Sequence, residues 1–256
     1  VYLAAKSLSI PVIIHEGNKK PGIANRLGAR FAKQVYQMFD GSIAGATTIG
    51  MPLRKEIKEL NRDSRKKEAQ EFFNLDSNKP TVLVFGGSQG AMSINKAISE
   101  AVPELDSAGI QVLHALGKKN QVSDNALKFG SYHHVSYIER MDLGYAAADL
   151  VVSRSGAMTI AEQTALGIPA IYIPFAIGNG EQAKNVKALI DDGGGEMILD
   201  GELNAQILVT KVKKMILDKD KLSKMSERAI RHGKTDADAI LANSAIKLAH
   251  EYQDNV

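Results

Sequence analysis

Two glycine-containing turns carry hydroxyl side chains in a pattern typical of phosphate binding. Residues 86–91, GGSQGA, directly follow the apolar run 81–85, and residues 154–159, RSGAMT, follow the apolar run 150–152. Glycine allows close backbone approach to an anionic ligand, and a helix that begins at such a turn presents free N–H groups and the positive end of its dipole. The sequence therefore predicts phosphate binding at these turns.

Glu162 follows Thr159 by three residues, which is the Thr-x-x-Glu spacing of a capping box. Two interpretations of this carboxylate stay open. Glu162 either completes the cap of its own helix, or it stands one turn inside a helix whose N-terminus receives a phosphate.

A polar group, His15-Glu16-Gly17-Asn18, ends the short apolar run 12–14. Open α/β sheets place their sites at the carboxyl ends of strands. This segment is therefore a second candidate region for binding or chemistry.

The sequence lacks the motifs of several other kinds of site. The six histidines form no H-x-x-x-H or H-x-x-E-H motif for a metal, and GGSQGA has neither the Lys-Ser/Thr ending of a P-loop nor the G-x-G-x-x-G spacing. There is no G-x-S-x-G nucleophile elbow, and the absence of cysteine excludes disulfides and thiolate chemistry. The net charge of +3 gives no sign of nucleic-acid binding, and no apolar run approaches the roughly 18 residues of a membrane-spanning helix. We expect no metal, no cofactor and no nucleic-acid partner.

Strands and helices alternate over residues 80–200, which predicts a doubly wound parallel sheet. Strands are expected at 81–85, 111–116, 133–137, 150–152, 170–173 and 196–199, and helices at 92–105, 120–129, 141–148, 159–167 and 181–191 with a loop at 174–180 before the last. Before this region we expect a strand at 10–15, a helix at 21–33 and a strand at 35–39, and after it helices at 203–217, 221–232 and 236–253.

The charged stretch 54–79 is predicted to be a solvated helix with i,i+4 pairs or a linker, the solvated face being favoured. We place a domain boundary near residues 74–80. The chain begins at Val1 in what reads as the tail of a helix, so we expect it to lack its natural beginning.

A set of segments resembles one family of bacterial glycosyltransferases. These segments are HEGN at 15–18 with PGIANRLGARFAK at 21–33, IGMPLR at 49–54, VFGGSQGAMSIN at 84–95, YIERM at 137–141, RSGAMTIAE at 154–162 and EQAKN at 181–185. Their order and spacing are similar to those of the family 28 hexosyltransferases that add N-acetylglucosamine to undecaprenyl-pyrophosphate-linked muramyl pentapeptide in peptidoglycan synthesis. The resemblance covers nearly the whole chain.

This resemblance implies an α/β GT-B fold, with two Rossmann-like domains of parallel sheet of which the first is truncated at its N-terminus. Residues 1–75 would be the remainder of the acceptor and membrane-side domain, 76–235 the UDP-GlcNAc-binding domain, and 236–256 a helix that packs back on the first domain. The implied reaction is inverting and independent of metal. The implied partners are UDP-GlcNAc, the lipid-linked acceptor and the cytoplasmic surface of the bacterial plasma membrane, to which the protein would bind peripherally.

The resemblance also implies roles for individual residues, carried over motif by motif. The diphosphate would be held by Ser88, Gly156, Ala157, Met158 and Thr159, with Gln89 and Ser155 also binding substrate. Arg54 and Ile138 would flank the uracil, Glu162 would accept hydrogen bonds from the ribose, and Glu181, Gln182 and Asn185 would lie at the sugar. Asn18 and Asn95 would line the cleft. His15 and Glu16 are the nearest candidates for the base, with a structural role as the alternative for His15.

Four positions depart from the family pattern, and two other functions stay open. Gly17 removes a side-chain amide, Met92 removes a positive charge near the phosphates, and Met51 and Glu181 also differ. The alternatives are a UDP-GlcNAc 2-epimerase of the same fold and a nucleotide-sugar binding module without activity. Donor binding without turnover is also possible for this chain.

Overall fold

The computed structural model describes residues 1–176 and 180–254. Part of the loop predicted at 174–180, residues 177–179, and the end of the C-terminal segment, residues 255–256, lie outside the described residues.

The described chain forms two parallel sheets with helices on their faces. The strands are β1 (Ile13–Glu16), β2 (Gln34–Gln37), β3 (Thr47–Thr48), β4 (Thr81–Phe85), β5 (Gln111–Ala115), β6 (Tyr132–Val135), β7 (Leu150–Ser153), β8 (Ala170–Tyr172) and β9 (Glu196–Met197). The helices are α1 (Tyr2–Ser7), α2 (Ile23–Gly28), α3 (Lys55–Lys58), α4 (Arg62–Phe72), α5 (Met92–Ser107), α6 (Met141–Ala147), α7 (Ala157–Ala165), α8 (Glu181–Asp191), α9 (Ala205–Ile216), α10 (Lys219–His232) and α11 (Ala237–Gln253).

The larger sheet has the strand order β6-β5-β4-β7-β8-β9, and every neighbouring pair is parallel. In chain order within this sheet, that is the Rossmann order 3-2-1-4-5-6. The order reverses between β4 and β7, where Phe85 pairs with Ser153. The predicted doubly wound sheet is confirmed, and the switch point lies between the two strands that carry the glycine turns.

The larger sheet is buried on both faces, because alternate residues of each strand point to opposite sides. Val82 and Val84 pack on the side of α5 and α9, while Leu83 packs with α4, α6 and α7 on the other side. This explains why these strands read as continuous apolar runs rather than as an alternating pattern.

The smaller sheet has the order β1-β2-β3 and is also parallel. β3 falls in a stretch, 41–52, that reads as turn. α11 returns to this sheet after the second domain: the hydroxyls of Tyr36 and Ser244 lie 2.6 Å apart, and Lys58 Nζ donates to Asp238 Oδ1 at 2.9 Å. The division at residue 75 and the separate C-terminal helix stay predictions.

The charged stretch 54–79 is neither a linker nor a plain solvated helix. α4 packs on α6, and Arg62 is anchored there by donating to the carbonyls of Tyr145 (3.1 Å) and Ala148. Lys66 pairs with Asp149 at 2.6 Å. The predicted helix and its i,i+4 pairing are confirmed, since Lys67 and Glu71 lie 3.9 Å apart. The linker and the plain solvated face were wrong because these contacts use charged side chains, which a hydrophobic pattern does not show.

The helix predicted at 120–129 is also wrong, since only a short 3₁₀ turn, Ala126–Lys128, forms there. The Asn120 amide donates to the carbonyls of Gln89 and Leu116, both at 2.9 Å. Asparagine that bonds backbone groups in this way competes with helix formation.

Within residues 1–176 and 180–254, no helix combines the length and apolar character needed to cross a bilayer.

Candidate active site

Two positions of the first glycine turn have a backbone conformation that favours glycine. Gly87 and Gly90 have φ of +92° and +74°, and Gly90 N donates to Gly87 O at 2.9 Å. A Cβ on Gly90 would lie 2.0 Å from the carbonyl oxygen of Leu116. The tight turn leaves Ser88 and Gln89 exposed at its tip. Both side chains are therefore free to meet a ligand at the switch point.

The second turn leads into α7, whose N-terminus has no side-chain cap. Its N-cap is Gly156, and the first intrahelical bond runs from Ile160 N to Gly156 O at 3.0 Å. The N–H groups of residues 157–159 precede this ladder and lie at the positive end of the helix dipole. The turn therefore offers an anion site at the end of β7. This strand pairs with β4, which carries the first turn, and paired strands lie about 4.8 Å apart.

The capping box predicted from Thr159 and Glu162 is wrong. Because α7 begins at Ala157, Thr159 is its third residue and Glu162 its sixth, one turn too far to cap the end. The Glu162 carboxylate instead accepts from Arg54 Nη2 at 3.1 Å through Oε1 and from the Tyr145 hydroxyl at 2.9 Å through Oε2.

The surroundings of Glu162 divide into a buried and an exposed side. Glu162 is 6% exposed, and Tyr145 is fully buried. Burial, together with the neighbouring Glu162 carboxylate, raises the pKa of the Tyr145 phenol well above its usual value, so this hydroxyl stays a donor. The side chain of Arg54 is 57% exposed. A ligand can displace Arg54 without disturbing the core.

His15 and Glu16, at the end of β1, have different surroundings. His15 Nε2 lies 2.7 Å from the carbonyl oxygen of Gly50. Because a carbonyl only accepts, Nε2 carries the proton in the neutral ring and Nδ1 is the basic nitrogen. The interpretation of His15 as a base stays a prediction.

Glu16 is 3% exposed and organises the loop after β1. Its oxygens accept from Asn18 N (2.9 Å), Gly22 N (3.1 Å) and Asn25 Nδ2 (2.9 Å). A carboxylate with three fixed donors has little capacity left for a substrate proton. The geometry does not support Glu16 as a base.

The end of β1 faces the N-terminus of α7 across the space between the two sheets. A Cβ on Gly17 would lie 3.9 Å from the Cβ of Ala157. Asn185 of α8 bridges the same gap, since its Nδ2 donates to Asn18 Oδ1 at 3.1 Å and its Oδ1 accepts from Lys19 N at 2.8 Å. The structure thus brings together Asn18, Asn185 and the anion site.

Three further predicted residues, Ser155, Gln182 and Glu181, lie at the start of α8 or against it. Ser155 is buried and donates to the carbonyl of Gln182 at 3.0 Å, and Gln182 Oε1 accepts from Phe175 N at 2.9 Å. Glu181 is the first residue of α8 and is partly buried. These bonds fix α8 beside the second turn, so its first residues border the cleft.

Two predicted residues are placed away from an open cleft. Ile138 is buried, in the cluster that includes Leu83. Asn95 is 9% exposed, and its amide is used internally: Nδ2 donates to Leu116 O at 2.9 Å and Oδ1 lies 3.0 Å from His114 Nε2. The side chain of Asn95 supports the end of β5 behind the first turn, so it does not line the cleft as predicted.

Sequence reasoning missed two residues of the site, Tyr145 and Arg154. Arg154 pairs with Asp200 at 2.6 Å and donates to Ser93 Oγ at 3.0 Å, which ties the second turn to the start of α5 and to the 3₁₀ turn at Asp200–Glu202. Arg154 stands inside the RSGAMT motif, but its partners are distant in sequence. No local signal pointed to Tyr145.

A cavity of about 650 Å³ lies along the flank of α7 rather than at its N-terminus. It is lined by Ile160, Thr164 and Leu189, together with Gly50 and Met51 from the first domain, and includes neither glycine turn. Among the described residues, no group of three His, Cys, Asp or Glu side chains is arranged to hold a metal.

A Rossmann-ordered parallel sheet that faces a second parallel sheet across a cleft is the architecture of the GT-B fold. Sequence profiles agree: the glycosyltransferase family 28 C-terminal domain matches residues 81–241, and the family 28 N-terminal domain matches residues 1–37. The chain belongs to glycosyltransferase family 28.

Relatives of this chain carry one recurring description, UDP-N-acetylglucosamine--N-acetylmuramyl-(pentapeptide) pyrophosphoryl-undecaprenol N-acetylglucosamine transferase. The protein from Streptomyces coelicolor is 45% identical over 243 residues, which cover 94% of this chain and 67% of that protein. The protein from Mycobacterium leprae is 42% identical over 261 residues, covering 99% of this chain and 64% of that protein. The chain spans about two thirds of the length of these relatives.

Solved structures show the same architecture. The crystal structure of Acinetobacter baumannii MurG superposes with a TM-score of 0.79 at 25% identity, covering 96% of this chain and 69% of that one. A UDP-GlcNAc 2-epimerase from Neisseria meningitidis gives a TM-score of 0.67 at 17% identity, covering 96% and 72%. The second likeness is one of fold alone.

Proposed function

We propose that the chain binds UDP-GlcNAc at the switch point and transfers N-acetylglucosamine to an undecaprenyl-pyrophosphate-linked muramyl pentapeptide. The observation that carries this proposal is the uncapped N-terminus of α7, with Glu162 one turn inside it and the end of β1 opposite. The family 28 match supports this proposal, in which the diphosphate, the ribose and the attacking hydroxyl would each lie beside one of these features.

The donor would be held in three parts along α7. The diphosphate would lie against the N–H groups of residues 157–159 and the Ser88 hydroxyl, because helix N-termini favour anions. Glu162 lies three to five residues further along α7, about 4.5 to 7.5 Å along the helix axis, which suits the ribose hydroxyls. Arg54 would move from Glu162 toward the uracil, and the sugar would lie against Gln182 and the adjacent residues of α8.

The transfer would be a single displacement with inversion at the anomeric carbon. The acceptor hydroxyl attacks C1 of N-acetylglucosamine, the C1–O bond to UDP breaks with its electron pair, and the hydroxyl proton passes to His15 Nδ1. The departing UDP carries the new negative charge, and the dipole of α7 stabilises that charge. We propose that no divalent ion is needed for donor binding.

The acceptor would enter on the side of the first domain, where β1 ends at His15 and Asn18. A lipid-linked acceptor requires contact with the membrane surface, so we propose that the protein works peripherally at the cytoplasmic face of the plasma membrane.

Radiolabelled UDP-GlcNAc tests the proposal, with and without the lipid-linked muramyl acceptor, in buffer containing EDTA. We expect donor binding in EDTA, and UDP release only when acceptor is present. Epimerised UDP-sugar without acceptor would establish an isomerase instead. Binding with neither product would establish a binding module, and no binding at all would exclude the donor site placed here. The full-length Streptomyces coelicolor relative serves as the positive control.

A further inference from the structure

The Tyr145 hydroxyl holds one of the two oxygens of the carboxylate assigned to the ribose. Tyr145 is fully buried and donates to Glu162 Oε2 at 2.9 Å. Among the residues that the structure describes, the partner of the other oxygen, Oε1, is the exposed Arg54 side chain. Oε2 is therefore held by a group in the core, whereas Oε1 faces the cleft.

Tyr145 is itself fixed from two sides. Its backbone carbonyl, near the end of α6, accepts from Arg62 of α4 at 3.1 Å. Its ring packs edge-on against Phe85, the last residue of β4, with ring centres 6.2 Å apart. The hydroxyl is thus a rigid donor, placed by the sheet and by α4.

Glutamate has a flexible side chain, and fixing its rotamers costs free energy when a ligand binds. A donor that pre-sets the carboxylate removes that cost and keeps Oε1 directed at the ligand. Because Tyr145 bonds the oxygen on the core side, a ribose diol can replace Arg54 on Oε1 while the hydrogen bond from Tyr145 stays in place.

We infer that Tyr145 is a positioning residue for ribose recognition, acting through Glu162. This inference rests on the proposed function, since it takes the ligand of Glu162 to be the ribose of a uridine diphosphate. The residue makes no contact with the substrate itself.

The experiment compares UDP with 2′,3′-dideoxy-UDP by calorimetry on the wild-type chain and on Tyr145→Phe. The variant should bind UDP about 3- to 10-fold more weakly, the range for one net hydrogen bond, while its affinity for dideoxy-UDP stays within about twofold of the wild type. The preference for the ribose hydroxyls is the decisive quantity, because a general loss of packing would weaken both ligands equally.

The matched control is Tyr132→Phe, which removes another buried tyrosine hydroxyl, located in β6 and 2.7 Å from His114 Nδ1. Its preference for UDP over dideoxy-UDP should equal that of the wild type. In a Glu162→Ala background, Tyr145→Phe should have no further effect on that preference. Phe85→Leu, which loosens the ring without removing the hydroxyl, should lower the preference by a smaller factor and serves if Tyr145→Phe does not fold.

The outcomes separate this inference from the donor site. A wild-type chain that prefers UDP, with an equal preference in Tyr145→Phe, overturns the role of Tyr145 alone. A wild-type chain that binds both nucleotides equally overturns the ribose role of Glu162 and this inference with it. A wild-type chain that binds neither nucleotide overturns the proposed function as well.

Discussion

The structure shows that Glu162 does not cap α7, which leaves the ligand-binding role proposed above. Its carboxylate bonds Arg54 and Tyr145, and neither bond closes the end of α7. The sequence contains the correct residues, Thr159 and Glu162, but the interpretation depends on where the helix starts. A shift of the N-cap by three residues, from Thr159 to Gly156, excludes the capping role of Glu162, and helix ends are what a sequence pattern defines least well.

Replacing Glu162 with Gln should weaken UDP binding with little effect on folding. The amide oxygen can still accept from Tyr145, whereas the ribose hydroxyls lose a charged acceptor, which is worth about 1.5 to 3 kcal/mol. Calorimetry with UDP and a thermal melt of the same sample measure both quantities. A variant that melts early yet binds UDP normally would contradict the role proposed for Glu162.

His114 makes the stability of the second domain depend on pH. It is fully buried between Asn95 and Tyr132, and burial lowers its pKa from 6.5 to about 3. Between these values the unfolded chain binds a proton that the folded chain does not. Stability is therefore fully present above about pH 6.5 and falls as the pH falls toward 3, by up to about 1.4 kcal/mol per pH unit.

Urea unfolding at several pH values between 7.5 and 5 measures this dependence. His133, whose pKa burial also lowers, adds a change of the same sign. His114→Gln should be less stable at pH 7.5 but should lose stability less steeply on acidification. Equal slopes for the two proteins would show that His114 is not kept neutral by the fold.

At the scale of elements, α7 begins without a side-chain cap, which leaves its first N–H groups for the diphosphate proposed above. Gly156 occupies the N-cap with φ of −66° and ψ of 148°, and the nearest atom to an added Cβ is Thr159 Oγ1 at 4.0 Å. A Cβ therefore fits at this position without a clash. Aspartate at this position would bond the free N–H groups and complement the dipole.

Gly156→Asp should therefore stabilise the protein by about 0.5 to 1 kcal/mol while weakening UDP binding at least about tenfold. Thermal melts and calorimetry measure the two effects. Gly156→Asn is the matched control, because its neutral cap should stabilise the helix but repel the diphosphate less. If Gly156→Asp binds UDP as well as the wild type, the diphosphate does not lie at this helix.

α4 is an example of helix packing that a hydrophobic pattern does not predict. Its sequence, RDSRKKEAQEF, is rich in charge, and its buried residues are few. It is nevertheless held to α6 by Arg62, and Lys66 pairs with Asp149 directly before β7. Strands such as β4 and β7 could be predicted because their apolar runs are continuous, whereas contacts made by charged groups depend on partners more than 80 residues away.

At the scale of the whole molecule, the two sheets are joined by polar contacts and by the return of α11. The alternation of strands and helices predicted the larger sheet, but not which strands are neighbours across the switch point. The contacts between the sheets, such as Asn18 with Asn185, could not be predicted, because they join residues from opposite parts of the chain.

Removing α11 should destabilise the smaller sheet and leave the larger sheet folded. A chain ending at residue 235 keeps every strand of the larger sheet but loses the contacts of Ser244 with Tyr36 and of Asp238 with Lys58. Limited proteolysis should then cut within residues 1–60 first and leave the larger sheet protected. The full chain is the control, and equal protection of both regions in the shortened chain would show that α11 does not hold the smaller sheet.

The return of α11 also has a consequence for synthesis. A ribosome releases the chain in order, so the nascent chain completes β4 to β9 before residues 237–253 emerge. The smaller sheet, though made before the larger one, gains its contacts with α11 only after residues 237–253 have been made. We expect its strands to be open to chaperones during that interval, and the larger sheet to fold before it.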